Sequence, residues 1–447
     1  MDKTLERAWN LTPAQREEYA KYLMPAYRKQ GGFPLKGAKG IYLEAQDGRR
    51  YMDFTSEMFA CILGFGNEEI AEVIYEQAKG LTIVAPLHQT DLRYSLCHKI
   101  SQIAPENMDR MSFTVGGGPA IESAMKIALK NVPGSRNFVS LQGGYHGTTF
   151  GAANATFLTS RLHEWGEANP ELFHFAGVLS NNCIRVPRPY PYRSPFSGSE
   201  EEMAEYYANM VRDTILNGVP GPTAGVIVEP VQSAGGQIEF SKLYLQKLRK
   251  ICDEMGTLLI FDEFQTYCRT NRFFAAQYYD VEPDIITFAK GLGGGIPAAG
   301  ILIHKRLRGF ENLMEDMQTF QNNHIAYAAA LKTIEIIERD HLLENVETVG
   351  AAIKDRLKIM QERYPEIGDI RGPGLAIGVE MVKNPESKEP LSNETMQELF
   401  QAAIKQGLFY QLAENVIKLK PPIVITLEEA NTAMDMLEAS FEAVLRK

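Results

Sequence analysis

Apolar residues in this chain fall into two rhythms. Short, nearly unbroken apolar runs lie at 111–114, 137–141, 225–228, 258–261, 285–288 and 300–303, with helical patterns between them. A strand covered on both faces loses the polar–apolar alternation of a half-exposed one. The pattern therefore predicts a largely parallel sheet with helices on both sides, an α/β architecture. Ahead of it the spacing predicts a helix over 13–22 capped by Thr12. Two strands follow, 41–44 and 50–54, joined at the Asp47-Gly48 turn. Beyond it, a helix over 326–339 leads to amphipathic helices near 343–363, 394–406 and 428–445, with strands near 376–382 and 416–418. These divide the chain into an N-terminal segment (1–65), a large domain (66–330) and a smaller α+β C-terminal domain (331–447).

Composition narrows the class. The 447 residues exceed one simple core, and 45% hydrophobic with 23% charged is ordinary for a soluble globular protein. A net charge of −10 works against non-specific nucleic-acid binding, which needs a basic surface. No apolar run reaches the roughly 20 residues that span a bilayer, and the polar start Met1-Asp2-Lys3-Thr4 leads into no signal segment. The five cysteines, Cys61, Cys97, Cys183, Cys252 and Cys268, are scattered without a CxxC. They fit a reducing compartment, so a cytoplasmic protein with no membrane and no nucleic-acid partner is expected, and no metal site.

Ligands of such sheets sit beyond the carboxyl ends of the strands. The polar residues there are Gly116, Gly143, Glu229, Asp262 and Lys290. Asp262 would bind a metal, act as a base, pair with a cationic ring nitrogen, or merely cap a helix. Lys290 follows Ile286-Thr287-Phe288-Ala289 and precedes Gly291-Leu292-Gly293-Gly294-Gly295. An apolar setting suits a lowered pKa and imine chemistry, although a solvated strand-end lysine is the plainer reading taken alone. Thr114-Val115-Gly116-Gly117-Gly118-Pro119 reads as strand, glycine turn and helix start, a cup for phosphate. Its spacing matches neither nucleotide-binding glycine fingerprint. Tyr145, in Gln142-Gly143-Gly144-Tyr145-His146-Gly147, is an aromatic beside flexible backbone, suited to stacking on a flat ring or simply to packing the loop. A lysine, an acid and a phosphate cup are the parts that pyridoxal 5'-phosphate (PLP) requires.

With these parts in view, the chain resembles the class III (omega) aminotransferases, PLP enzymes of fold type I. The most specific stretch runs from Phe261-Asp262-Glu263-Phe264-Gln265-Thr266 through Pro283-Asp284-Ile285 to Lys290-Gly291-Leu292-Gly293-Gly294-Gly295-Ile296-Pro297. The resemblance implies a mainly parallel, seven-stranded-type sheet with a smaller α+β domain built from both chain ends. It implies Lys290 as the Schiff-base lysine and proton shuttle, and Asp262 at the pyridinium nitrogen. Gln265 would approach the ring hydroxyl, Tyr145 would stack on the ring, and Gly117 and Gly118 would bind phosphate through backbone N–H groups. Glu229 would line the pocket. Thr319, in Gln318-Thr319-Phe320, would complete the neighbouring subunit's phosphate site, which implies a homodimer or a dimer of dimers.

The departures are equally specific. Gly116-Gly117-Gly118-Pro119 lacks the hydroxyl side chains of many relatives, and Thr148 and Lys418 stand where arginines are common. A lysine binds a carboxylate as a point charge, without the guanidinium fork; equally, Lys418 reads as a solvated strand-end residue. The resemblance, so qualified, implies transfer of an amino group from an omega or beta amine, a 3-aminoacyl-CoA among the candidates, to a keto acid such as 2-oxoglutarate or pyruvate. A racemase or epimerase is the alternative on the same scaffold, and a non-catalytic PLP-binding protein the alternative of another class. The basic, aromatic segment 185–193 would either meet an anionic substrate tail or hold the fold together.

Overall fold

All six apolar runs enter one seven-stranded sheet. The computed structural model describes residues 2–24, 32–157 and 182–446. Across the sheet the strands are Met108–Thr114, Ala299–His304, Ile285–Phe288, Leu258–Asp262, Thr223–Val228, Asn137–Leu141 and Cys183–Val186. Six run parallel, and Ala299–His304 runs antiparallel to both its neighbours. The edge strand Cys183–Val186 escaped the pattern because it is only partly covered and carries a polar residue, Arg185, at its centre.

Alternate residues of the same strands feed two separate cores, as a pleated sheet requires. On one face Phe138, Ile227, Ile260, Ile285 and Ile301 meet the helix Gly117–Asn131. On the other, Val139, Val226, Phe261, Ile286 and Leu302 meet helices that include Lys242–Met255 and His324–Arg339. Each fully buried side chain of this kind contributes roughly 1.5–3 kcal/mol of transfer free energy. The helix His324–Arg339 spans the break expected at residue 330 and packs on the helix Glu68–Ala78.

The chain ends share structure. The strands Leu35–Lys39, Tyr42–Ala45 and Arg50–Asp53 form a sheet that Leu408–Phe409 extends in parallel. A second sheet, all antiparallel, holds Ile367–Arg371, Ile377–Met381, Val416–Leu419 and Gln411–Ala413. Thr12 starts the helix Pro13–Ala20 through a reciprocal cap with Gln15, as its sequence position suggested.

One turn departs from ordinary backbone. Ser56, Glu57, Met58 and Phe59 all have left-handed φ, from 40° to 71°, and none is glycine. Such a run is costly and persists only where its surroundings enforce it. The Asp53 carboxylate accepts from the N–H groups of Thr55 (2.7 Å) and Glu57 (2.9 Å). Ser56 Oγ donates to the Lys420 carbonyl (2.7 Å) and accepts from Arg269 (2.8 Å).

Candidate active site

The parallel strands end on one side, and the expected residues meet there. Asp262 pairs in register with Thr287, on the adjacent strand that leads to Lys290. Phe261 pairs with Val228, so Glu229 follows on the other side. Lys290 itself has a left-handed φ of 48°, and its ammonium lies 5.1 Å from the centre of the Phe264 ring. Burial pulls its pKa below the ordinary lysine value, and the charges of Asp262 and Glu229 oppose this without cancelling it. A lysine more readily deprotonated is a better nucleophile toward an aldehyde.

Asp262 is buried, and its two oxygens have different tasks. Oδ1 accepts from the Phe264 N–H (3.1 Å), closing a local turn rather than capping a helix. Oδ2 meets His146 Nδ1 at 2.7 Å. Burial lowers the His146 pKa, yet its hydrogen bond and attraction to Asp262 leave it raised. Glu229 accepts from the backbone N–H of Tyr145 (2.8 Å) and of Ser233 (3.3 Å). Burial pushes its carboxyl up to about 7. These contacts hold the Tyr145 turn against the sheet, and the Tyr145 side chain is partly exposed.

The glycine turn has the features of an anion cradle. Among the described residues no side chain caps the helix Gly117–Asn131, which leaves its first N–H groups without a side-chain capping partner there. A Cβ on Gly117 would lie 3.0 Å from the Phe264 ring, and one on Gly118 would lie 2.8 Å from the Thr149 hydroxyl. Only glycine leaves this space open. The buried Thr149 hydroxyl has no hydrogen-bond partner among the described residues, which marks it as a group awaiting an acceptor. Lysine, buried acid and open cradle together fit PLP.

Other expected residues are placed differently from one another. Gln265 Oε1 accepts from Ser233 Oγ (2.5 Å) and Lys420 Nζ (3.0 Å). Thr319 is exposed, on a cleft of about 410 Å³ that it shares with Val115, Pro119 and Phe320. Lys418 is 2% exposed within the strand Val416–Leu419, which removes the reading of a solvated lysine. In the segment 185–193 every arginine is engaged internally. Arg185 donates to the carbonyls of Asn154 and Thr156, Arg188 to Gln232, and Arg193 to Glu380 and the Lys388 carbonyl. The segment thus holds the fold together.

Several site residues went unassigned in the sequence. His146 adjoins Tyr145 and sits after the same strand, but its partner is 116 residues away. Ser233 and Lys420 carried no signal beyond proximity to Glu229 and Lys418. For Lys420, the two-residue strand period places it on the same side as Lys418, which was the available clue.

The family profile described as Aminotransferase class-III matches residues 25–441, so the chain belongs to that family. It is a PLP-dependent aminotransferase of class III. It is 31% identical to an isoleucine 2-epimerase of Lentilactobacillus buchneri, over 98% of this chain and 96% of that protein. It is 31% identical to a probable 4-aminobutyrate aminotransferase of Bacillus subtilis, over 92% of both. An amine transaminase structure from an uncultivated Pseudomonas species, in its PLP-bound form, covers 95% of this chain and 99% of its own. Its TM-score is 0.86 at 26% identity.

Proposed function

We propose that this aminotransferase takes its amino group from an omega or beta amine and delivers it to a keto acid such as 2-oxoglutarate or pyruvate. PLP, when bound, supplies the electron sink that makes the amine-bearing carbon acidic. Lys290 Nζ would hold the proton that this carbon loses. Asp262, oriented by His146, would hold the ring nitrogen protonated; Tyr145 would cover the ring, with Glu229 beside it. Gln265 would face the ring oxygen, and Gly117 and Gly118 would bind the phosphate.

The observation that carries the donor class is Lys418, a buried lysine where an arginine fork commonly holds a carboxylate. A point charge there orients an alpha-carboxylate less strictly. A donor without that group, such as a 3-aminoacyl-CoA, fits this better than glutamate does. The segment 185–193 lends the thioester no support, since its arginines are engaged internally. The exposed Thr319 and Phe320 suit a homodimer in which Thr319 completes the partner's phosphate site. The described residues hold no helix long and apolar enough to cross a membrane. All five cysteines are free, in keeping with a cytoplasmic setting.

The test is a screen of amino donors, thioesters included, followed by the absorbance change of the bound cofactor. Turnover of omega or beta amines over alpha-amino acids supports the reading, and strict preference for alpha-amino acids overturns it. Lys290→Ala abolishes turnover and the borohydride labelling of residue 290. The epimerase relative supports a second reading. Enzyme and a chiral amine in deuterated water, without keto acid, separate the two: label with inversion means epimerisation, and strict need for the keto acid means transfer.

A further inference from the structure

A further lysine is buried at this site, and among the described residues none of its hydrogen bonds is to a charged group. Lys420 is 1% exposed. Its Nζ donates to Ser233 Oγ (2.7 Å), Gln265 Oε1 (3.0 Å) and, at 3.5 Å, the Gln265 carbonyl. Burial holds its ammonium well below the usual lysine range, and the charges of Arg269, Lys418 and Lys290 push the same way, with Glu229 opposing. Burying an amine costs free energy that hydrogen bonds or a counter-charge must offset.

The backbone around Lys420 is tied at both ends. Its N–H donates to the Phe54 carbonyl (2.7 Å), and its own carbonyl accepts from Ser56 Oγ (2.7 Å). Ser56 opens the left-handed turn, which brings the Phe59 ring to 4.6 Å from Lys420 Nζ. The turn thus ties the Lys420 backbone and packs Phe59 against its amine.

We infer that Lys420 is a positioning residue that, with Ser233, locks the Gln265 carboxamide so that its NH₂ faces the cofactor's ring oxygen. The amide atom 3.0 Å from Lys420 Nζ is Oε1, the acceptor that an ammonium requires. Ser233 Oγ accepts from Lys420 and spends its single proton on the same Oε1. With both donors on Oε1, Gln265 Nε2 is left pointing away from them as a donor. With the cofactor bound, a donor on its ring oxygen would withdraw electrons from that oxygen and make the adjoining Lys290 nitrogen easier to deprotonate.

This rests on the reading that Gln265 faces the ring oxygen, and a pH titration of the holoenzyme's visible absorption band tests the two apart. Gln265→Leu raises the apparent pKa of that band by about one unit or more; no shift there overturns the placement of Gln265. Lys420→Met raises it likewise, and Ser233→Ala raises it less. In the Gln265→Leu background Lys420→Met adds nothing further, because both act through one amide. A folded, cofactor-saturated Lys420→Met enzyme with an unmoved pKa overturns the inference. So does a shift that persists undiminished in the Gln265→Leu background, since the amine then acts by its charge alone.

Discussion

His146 Nδ1 lies 2.7 Å from Asp262 Oδ2, with both side chains within a few percent of full burial. The imidazole holds Oδ2 while the Phe264 N–H holds Oδ1, so the carboxylate is fixed from both sides. A hydrogen bond to a charged group contributes about 1.5–3 kcal/mol. His146→Asn should therefore lower kcat/KM by about 10–100-fold, with a smaller change in melting temperature. Steady-state kinetics beside calorimetry checks this, and unchanged kinetics would remove His146 from the site.

Gly118 gives a direct test of the cradle. The Cβ of Gly118→Ala would stand 2.8 Å from Thr149 Oγ1 and Cγ2. Overpacking of this kind costs about 1–3 kcal/mol, here at the cofactor's expense. Cofactor affinity measured by equilibrium dialysis should fall by about tenfold or more. Equal retention by the variant would show that phosphate binds elsewhere.

Glu263 lies beside Asp262 but serves the fold. It accepts from the N–H groups of Ala275 and Ala276 and from the Thr266 hydroxyl. Burial pushes its carboxyl up to about 7. Folded protein thus holds this proton to higher pH than the unfolded chain does. The stability so linked is fully present below the ordinary glutamate range and is lost as pH rises through about 7. Denaturant melts from pH 5 to 8 should show the stability of the wild type falling relative to Glu263→Gln. At pH 7 the variant, unable to accept from both N–H groups, should be destabilised by about 1–3 kcal/mol.

Glu380 tests the structural reading of the segment 185–193. Fully buried, it accepts from Tyr190, Arg193 and Arg371, the last at 2.7 Å. Removing one partner of a buried ion pair costs about 3–5 kcal/mol. Glu380→Ala should lower the unfolding free energy by that order whatever the substrate. A variant of wild-type stability, with KM raised for one anionic donor alone, would return the segment to substrate binding.

The strands and their chemistry were legible because both are local. Six apolar runs, each read without a partner, became strands of the sheet, and Asp262 and Lys290 could be placed at strand ends by counting from them. The helix start at Thr12 was legible for the same reason, since a cap is satisfied within four residues. The resemblance then joined these pieces into one cofactor site.

Tertiary structure decided what periodicity cannot express. A buried run reports that both faces are covered but not by what, so strand order and the reversed direction of Ala299–His304 appear only in the fold. Whether an arginine or lysine is solvated depends on residues far along the chain. The arginines of 185–193 find acceptors as distant as Glu380, and Lys420 reaches Ser233 across 187 positions. Such pairings arise when chain closure brings distant polar groups out of water together, where each must find a partner or pay for desolvation.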